Sequence, residues 1–77
     1  MPDKLFKVVS RIMGVPAHEI VSDSSPKTIA YWDSMKHIKL ILAVEEEFNV
    51  TFSDEEIANI QSVGNLIDIL AQKGVAA

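Results

Sequence analysis

Apolar residues recur at helical spacing in several stretches of this chain, separated by segments rich in turn formers. Leu5, Val9, Ile12 and Met13 stand at i, i+4, i+7 and i+8, and Phe6 widens their stripe. This predicts an amphipathic helix from the Asp3 region to a stop at Gly14. From Val15 to Tyr31 the periodicity weakens, and Pro16 and Ser22-Asp23-Ser24-Ser25-Pro26 indicate a long connection, with one helical turn over residues 16–20. A second helix is predicted over Ser34–Phe48. Asn49-Val50-Thr51-Phe52 is a short β-favouring break that ends it. Ser53 and Glu56 have capping-box spacing, which starts a short third helix, about Asp54–Asn59, with Ile57 and Ile60 inward. Ser62 caps a fourth helix bearing Val63, Leu66, Ile67 and Leu70, and Gly74, just past Lys73, stops it. The expected fold is all-α: a small four-helix bundle with three principal helices, a short third one, and a long loop between the first and second.

At ~100° per residue, Leu40, Ile41, Val44 and Phe48 share one arc of the second helix and should face the core. His37 falls in the middle of that arc, where a partly buried structural role is expected. Met35, Ile38 and Leu42 form a second apolar arc. A bundle needs one stripe from each helix, so this second stripe is expected to stay partly exposed and serve as a docking surface.

The 77 residues suffice for one domain, which buries only about 60–65% of the surface of its unfolded chain. Hydrophobic residues make up 48% of the chain, which favours a folded domain over a disordered one. With no cysteine, neither a disulfide nor a thiolate metal site supplements the core, and a reducing, cytoplasmic setting fits. The net charge of −4 counts against nucleic-acid binding, which relies on lysine and arginine at phosphates. No apolar run approaches the ~20 residues that span a bilayer. The two histidines, His18 and His37, lie far apart with no cluster of metal ligands around either. No metal site is expected.

Charge on the second helix runs against its dipole: Lys36 and Lys39 stand in the first two turns, and Glu45, Glu46 and Glu47 in the last. Six of the eleven acidic residues lie within residues 45–56, which concentrates negative charge on one face. Such a face is either simply solvated or a recognition surface. Lys36, Lys39, Glu45 and Glu46 join Met35, Ile38 and Leu42 as candidate docking residues.

Candidate chemistry centres on Trp32-Asp33-Ser34-Met35, which sets one hydroxyl after an acid at a helix start. A serine in that place is ordinarily a cap worth about 1 kcal/mol, and Asp33 can do the same job. The ordered set is more specific. Asp33-Ser34-Met35 follows a long loop, Leu40 leads to three glutamates and Phe48, a capped short helix comes next, and Ser62-Val63 opens a final helix. Over nearly the whole chain this pattern resembles the acyl carrier protein family.

The resemblance implies that a separate phosphopantetheinyl transferase, using coenzyme A and a magnesium ion, places a 4'-phosphopantetheine arm on the Ser34 hydroxyl. Asp33 is then implied to help the transferase hold its metal. The arm's thiol carries acyl groups as thioesters, and loading and accepting enzymes do the chemistry, so the chain itself is not an enzyme and is expected to act as a monomer. The site suits a phosphodiester, because a helix start offers unpaired N–H groups and a positive dipole end, to which Lys36 adds a mobile cation. The family also suggests an acyl chain folded back between the second and third helices, lined by Ile41, Val44, Ile57 and Ile60.

The chain departs from carriers of fatty-acid synthesis. They usually have acids early in the second helix, where Lys36, His37 and Lys39 stand here. Met35 replaces the more usual leucine, and Trp32 stands where a small residue or leucine is common. These differences favour a dedicated carrier in secondary-metabolite or polysaccharide biosynthesis. Two alternatives stay open: a peptidyl or aminoacyl carrier, whose serine usually follows glycine, and a cofactor-free helical interaction module with Ser34 as a cap. A hydrolase built on Ser34 and His37 would also need an oxyanion hole, an orienting acid and a cleft, and no such set is legible.

Overall fold

A computed structural model describes residues 3–77. Helix α1 spans Asp3–Met13, α2 Ser34–Phe48, α3 Asp54–Asn59 and α4 Val63–Gln72, with a single 3-10 turn, Ala17–Glu19, in the long connection. Among the described residues there is no strand. The residues at 49–52 therefore end α2 without pairing.

Three helices end in the same way. Gly14, Asn49 and Gly74 take positive φ of 70°, 54° and 76°, and in each case the next residue is a valine whose N–H reaches back five positions. Val15 donates to the Ser10 carbonyl, Val50 to that of Glu45 and Val75 to that of Leu70. These bonds pair end carbonyls that the helices leave open, while the valines pack against the core edge. The starts of α3 and α4 are capped by side chains: Ser62 accepts from the Asn65 N–H, and Ser53 and Glu56 form the reciprocal box that their spacing predicts.

One core holds the bundle. Leu5, Val8, Val9 and Met13 of α1 meet Leu40, Ile41, Val44 and Phe48 of α2 and Val63, Leu66 and Leu70 of α4. Short α3 buries no residue within its own span, and Ile60, its C-cap, supplies its buried anchor. The long loop is strapped to α4: the Val63 and Gly64 N–H groups donate to the Ser24 and Ser22 carbonyls at 2.9 and 2.8 Å. Gly64 permits that approach, since a Cβ there would stand 3.1 Å from the Ser22 oxygen. Ile20, Ile29 and Trp32 carry the loop's own burial. This strap brings the chain back to the start of α2.

Candidate functional site

The loop arrives at α2 through two backbone turns, Trp32 N–H to Ile29 carbonyl at 3.1 Å and Asp33 N–H to Tyr31 carbonyl at 3.0 Å. Asp33 is then extended, at φ −102° and ψ −174°, and its Oδ1 accepts from the Lys36 N–H at 2.8 Å. The Asp33 carbonyl takes the His37 N–H at 2.8 Å. Asp33 is thus the N-cap, and Ser34 is the first helical residue. Of the two residues that could cap this helix, Ser34 and Asp33, it is the acid that does that work.

Ser34 is exposed, and the side-chain hydrogen bonds at the start of α2 are made by Trp32, Asp33 and His37 and not by its Oγ. The N–H groups of Ser34 and Met35 lie ahead of the first intrahelical bond and face outward at the positive end of α2. The site therefore presents a free hydroxyl beside unpaired donors, which suits a phosphoryl group attached at that oxygen.

Trp32 is only 4% exposed, and its indole Nε1–H donates to Nδ1 of His37 at 3.0 Å. The other ring nitrogen of His37, Nε2, donates to the Ile57 carbonyl of α3 at 3.1 Å. His37 is half-buried with both ring nitrogens engaged, as a structural histidine should be. Its place on the helix follows from residue spacing, whereas both of its partners lie outside α2.

Along α2, Met35, Ile38 and Leu42 are 69%, 51% and 59% exposed, so the second apolar arc lies in the open. Tyr31 and Val21 of the loop are exposed as well. Lys39 and Glu46 are also exposed. Two candidate docking residues have internal partners instead. The Lys36 ammonium donates to the Ile12 carbonyl at 3.2 Å, which places its charge at the C-terminal end of α1 rather than free beside Ser34. Glu45 Oε2 accepts from the Phe52 N–H at 2.8 Å and closes the α2–α3 connection. Charges unfavourable to α2's own dipole thus serve its neighbours.

Ile41, Val44 and Ile60 are buried in the core and Ile57 packs half-buried against it. The lining expected for a folded-back acyl chain is occupied by mutual packing. A groove of about 510 Å³ runs between the loop and the start of α4, lined by residues such as Asp23, Lys27, Gln61 and Asn65, and does not include Ser34. Among the described residues, no group of three or more acids or histidines is placed to hold a metal ion. No helix there is long and apolar enough to cross a membrane. One carboxylate is clearly tuned: Glu56 is held below its ordinary range, first by the Ser53 N–H and then by the Lys73 ammonium 3.0 Å away.

The family model of the phosphopantetheine attachment site matches residues 3–70. The chain belongs to this family, that of the acyl carrier proteins. It is similar to the acyl carrier protein of Petrotoga mobilis, 35% identical over 75 residues that cover 92% of this chain and 88% of the relative. A Buchnera aphidicola acyl carrier protein is 34% identical over 67 residues, with 87% and 86% covered. In fold it resembles the solution structure of a holo acyl carrier protein from Geobacter metallireducens, with a TM-score of 0.83 and 25% identity over 94% of this chain and 83% of that one. The fold also matches a putative acyl carrier protein from Mycobacterium tuberculosis, with a TM-score of 0.83 and 24% identity over 94% and 96% of the two chains. The protein is a carrier of acyl groups on covalently bound phosphopantetheine, not an enzyme. A phosphopantetheinyl transferase and acyl-handling enzymes are its general classes of partner.

Proposed function

We propose that Ser34 is the residue that carries the 4'-phosphopantetheine arm and that α2 presents the loaded arm to partner enzymes. The observation that carries this reading is the unbonded, exposed Oγ at the first residue of α2, whose cap is supplied by Asp33. The bound group supplies a thiol on a long tether, on which acyl cargo is held as a thioester. The chain's part is to hold the hydroxyl in solvent, to place it at the positive end of a helix dipole and to leave two backbone donors free for the phosphate. The Asp33 carboxylate, next in the chain, is proposed to help the transferase hold its magnesium ion.

Docking is proposed on the exposed arc of Met35, Ile38 and Leu42, with Lys39 and Glu46 at its polar margins. Lys36 and Glu45, already bonded internally, contribute to this surface chiefly through their stems. A basic residue at 39 and an indole at 32 support the reading of a dedicated carrier in secondary-metabolite or polysaccharide biosynthesis. We further propose that the chain acts as one carrier domain, as a monomer and in the cytoplasm.

Intact mass tests the attachment. Incubated with coenzyme A, magnesium and a broad-specificity transferase, the apo protein should gain the mass of one phosphopantetheine and Ser34→Ala should gain none. Undiminished loading of Ser34→Ala would place the arm elsewhere. Failure of the unsubstituted protein to load, alongside a carrier that does, would favour the cofactor-free module.

A further inference from the structure

We propose that His37 is a positioning residue that joins α3 to the serine-bearing segment, so that displacement of α3 is transmitted to residues 32–34. The functional part of this proposal rests on Ser34 being the attachment site; the coupling itself does not. A single hydrogen-bonded line runs from α3 to the segment: Ile57 carbonyl, His37 Nε2–H, His37 Nδ1, Trp32 Nε1–H. Only one form of the ring completes it. The Ile57 oxygen can only accept and the indole N–H can only donate, so the imidazole is neutral with its proton on Nε2.

Each end of this line has a reason to depend on the other. Helix α3 is six residues long and buries nothing within its span. It is held by Ile60, by the Glu56–Lys73 pair and by His37. At the opposite end, Trp32 sits two residues before Ser34 and is buried at 4% exposure. Its ring lies nearly parallel to the imidazole, 23° apart with centroids at 6.2 Å. An α3 that moves away takes the acceptor from Nε2–H and frees the imidazole to turn. Trp32 then loses the acceptor for its buried N–H, which loosens the turn delivering Asp33 and Ser34 to α2.

Hydrogen exchange on the apo, full-length protein tests the coupling, with Trp32→Phe and His37→Phe compared with the unsubstituted chain. Trp32→Phe keeps an aromatic ring but removes the donor, at a site whose hydrogen-bonded route to α3, among the described residues, runs through His37. Exchange at the amides of residues 57–60 and at the bonded amides of residues 32, 33 and 36 should quicken about fivefold to tenfold in both variants, the scale set by one lost hydrogen bond. Amides in the middle of α1 and α4 should stay as they were. The nitrogen shifts of His37, recorded at mildly alkaline pH, should report the Nε2–H tautomer.

Loading by the transferase should fall by a similar factor in kcat/KM in both variants. Trp32→Phe altering residues 32, 33 and 36 alone, equal quickening of every amide, or an Nδ1–H tautomer would each overturn the coupling. Ser34→Ala should preserve the exchange pattern of the unsubstituted chain. If that variant were still loaded, the attachment reading would fail by mass while the exchange experiment still decided the coupling on its own.

Discussion

Asp33 meets the helix's need for a cap, which leaves the next hydroxyl with nothing to bind inside the protein. That division makes the two residues separable by substitution. Asp33→Ala removes the acceptor for the Lys36 N–H and should cost about 1 kcal/mol in thermal or denaturant unfolding. Asp33→Asn keeps an acceptor and should unfold within about 0.5 kcal/mol of the unsubstituted protein. If the carboxylate helps hold the transferase's metal, Asp33→Asn should nonetheless load severalfold more slowly. Equal loading of Asp33→Asn and the unsubstituted chain would assign Asp33 to capping alone.

Among elements, α2 combines an interior face, a solvent-facing apolar arc and charges that look misplaced on it. Lys36 and Lys39 are one turn apart, yet they have different work. Lys36→Glu would set a carboxylate against the open carbonyls at the end of α1 and should cost about 1 kcal/mol of stability. Lys39→Glu should leave stability within about 0.5 kcal/mol and lower turnover with a cognate enzyme, more so at low salt. Leu42→Ser, also exposed, should behave like Lys39→Glu in the stability assay and lower turnover at every salt concentration. Equal destabilisation by the two lysine reversals would remove the distinction drawn from the Ile12 contact.

Across the whole molecule, the strap of the loop onto α4 and the pairing of Glu56 with Lys73 close the bundle around one core. The second of these gives stability a pH dependence with a definite sign. Glu56 has its folded pKa lowered from 4.5 by the Ser53 N–H and then by Lys73. The unfolded chain therefore binds this proton more readily than the folded one. The stabilisation is complete above about 4.5 and is lost as pH falls through the lowered folded value. Glu56→Gln, which keeps a capping side chain but not the charge, should show a flatter fall in unfolding midpoint over that acidic range. Identical acid profiles for the two proteins would assign the loss to other carboxylates.

The helices were legible because their information is local. Spacing of apolar residues, Gly14 and Gly74 at φ near 70°, and the Ser53–Glu56 box all act within a turn or two of chain. The exposed arc of Met35, Ile38 and Leu42 was legible for the same reason, since a helix has a single radius and a fixed pitch. The partners of Lys36, His37 and Glu45 were not. Lys36 meets Ile12 and His37 meets Ile57 across 24 and 20 residues of chain, and Glu45 reaches Phe52 only once α2 has ended. The placement of Ser34 at a helix start is thus a property of a few neighbouring residues. Whether its surrounding charges and its tryptophan are free or bonded depends on which helices pack together, and packing brings together residues that no short window of sequence contains.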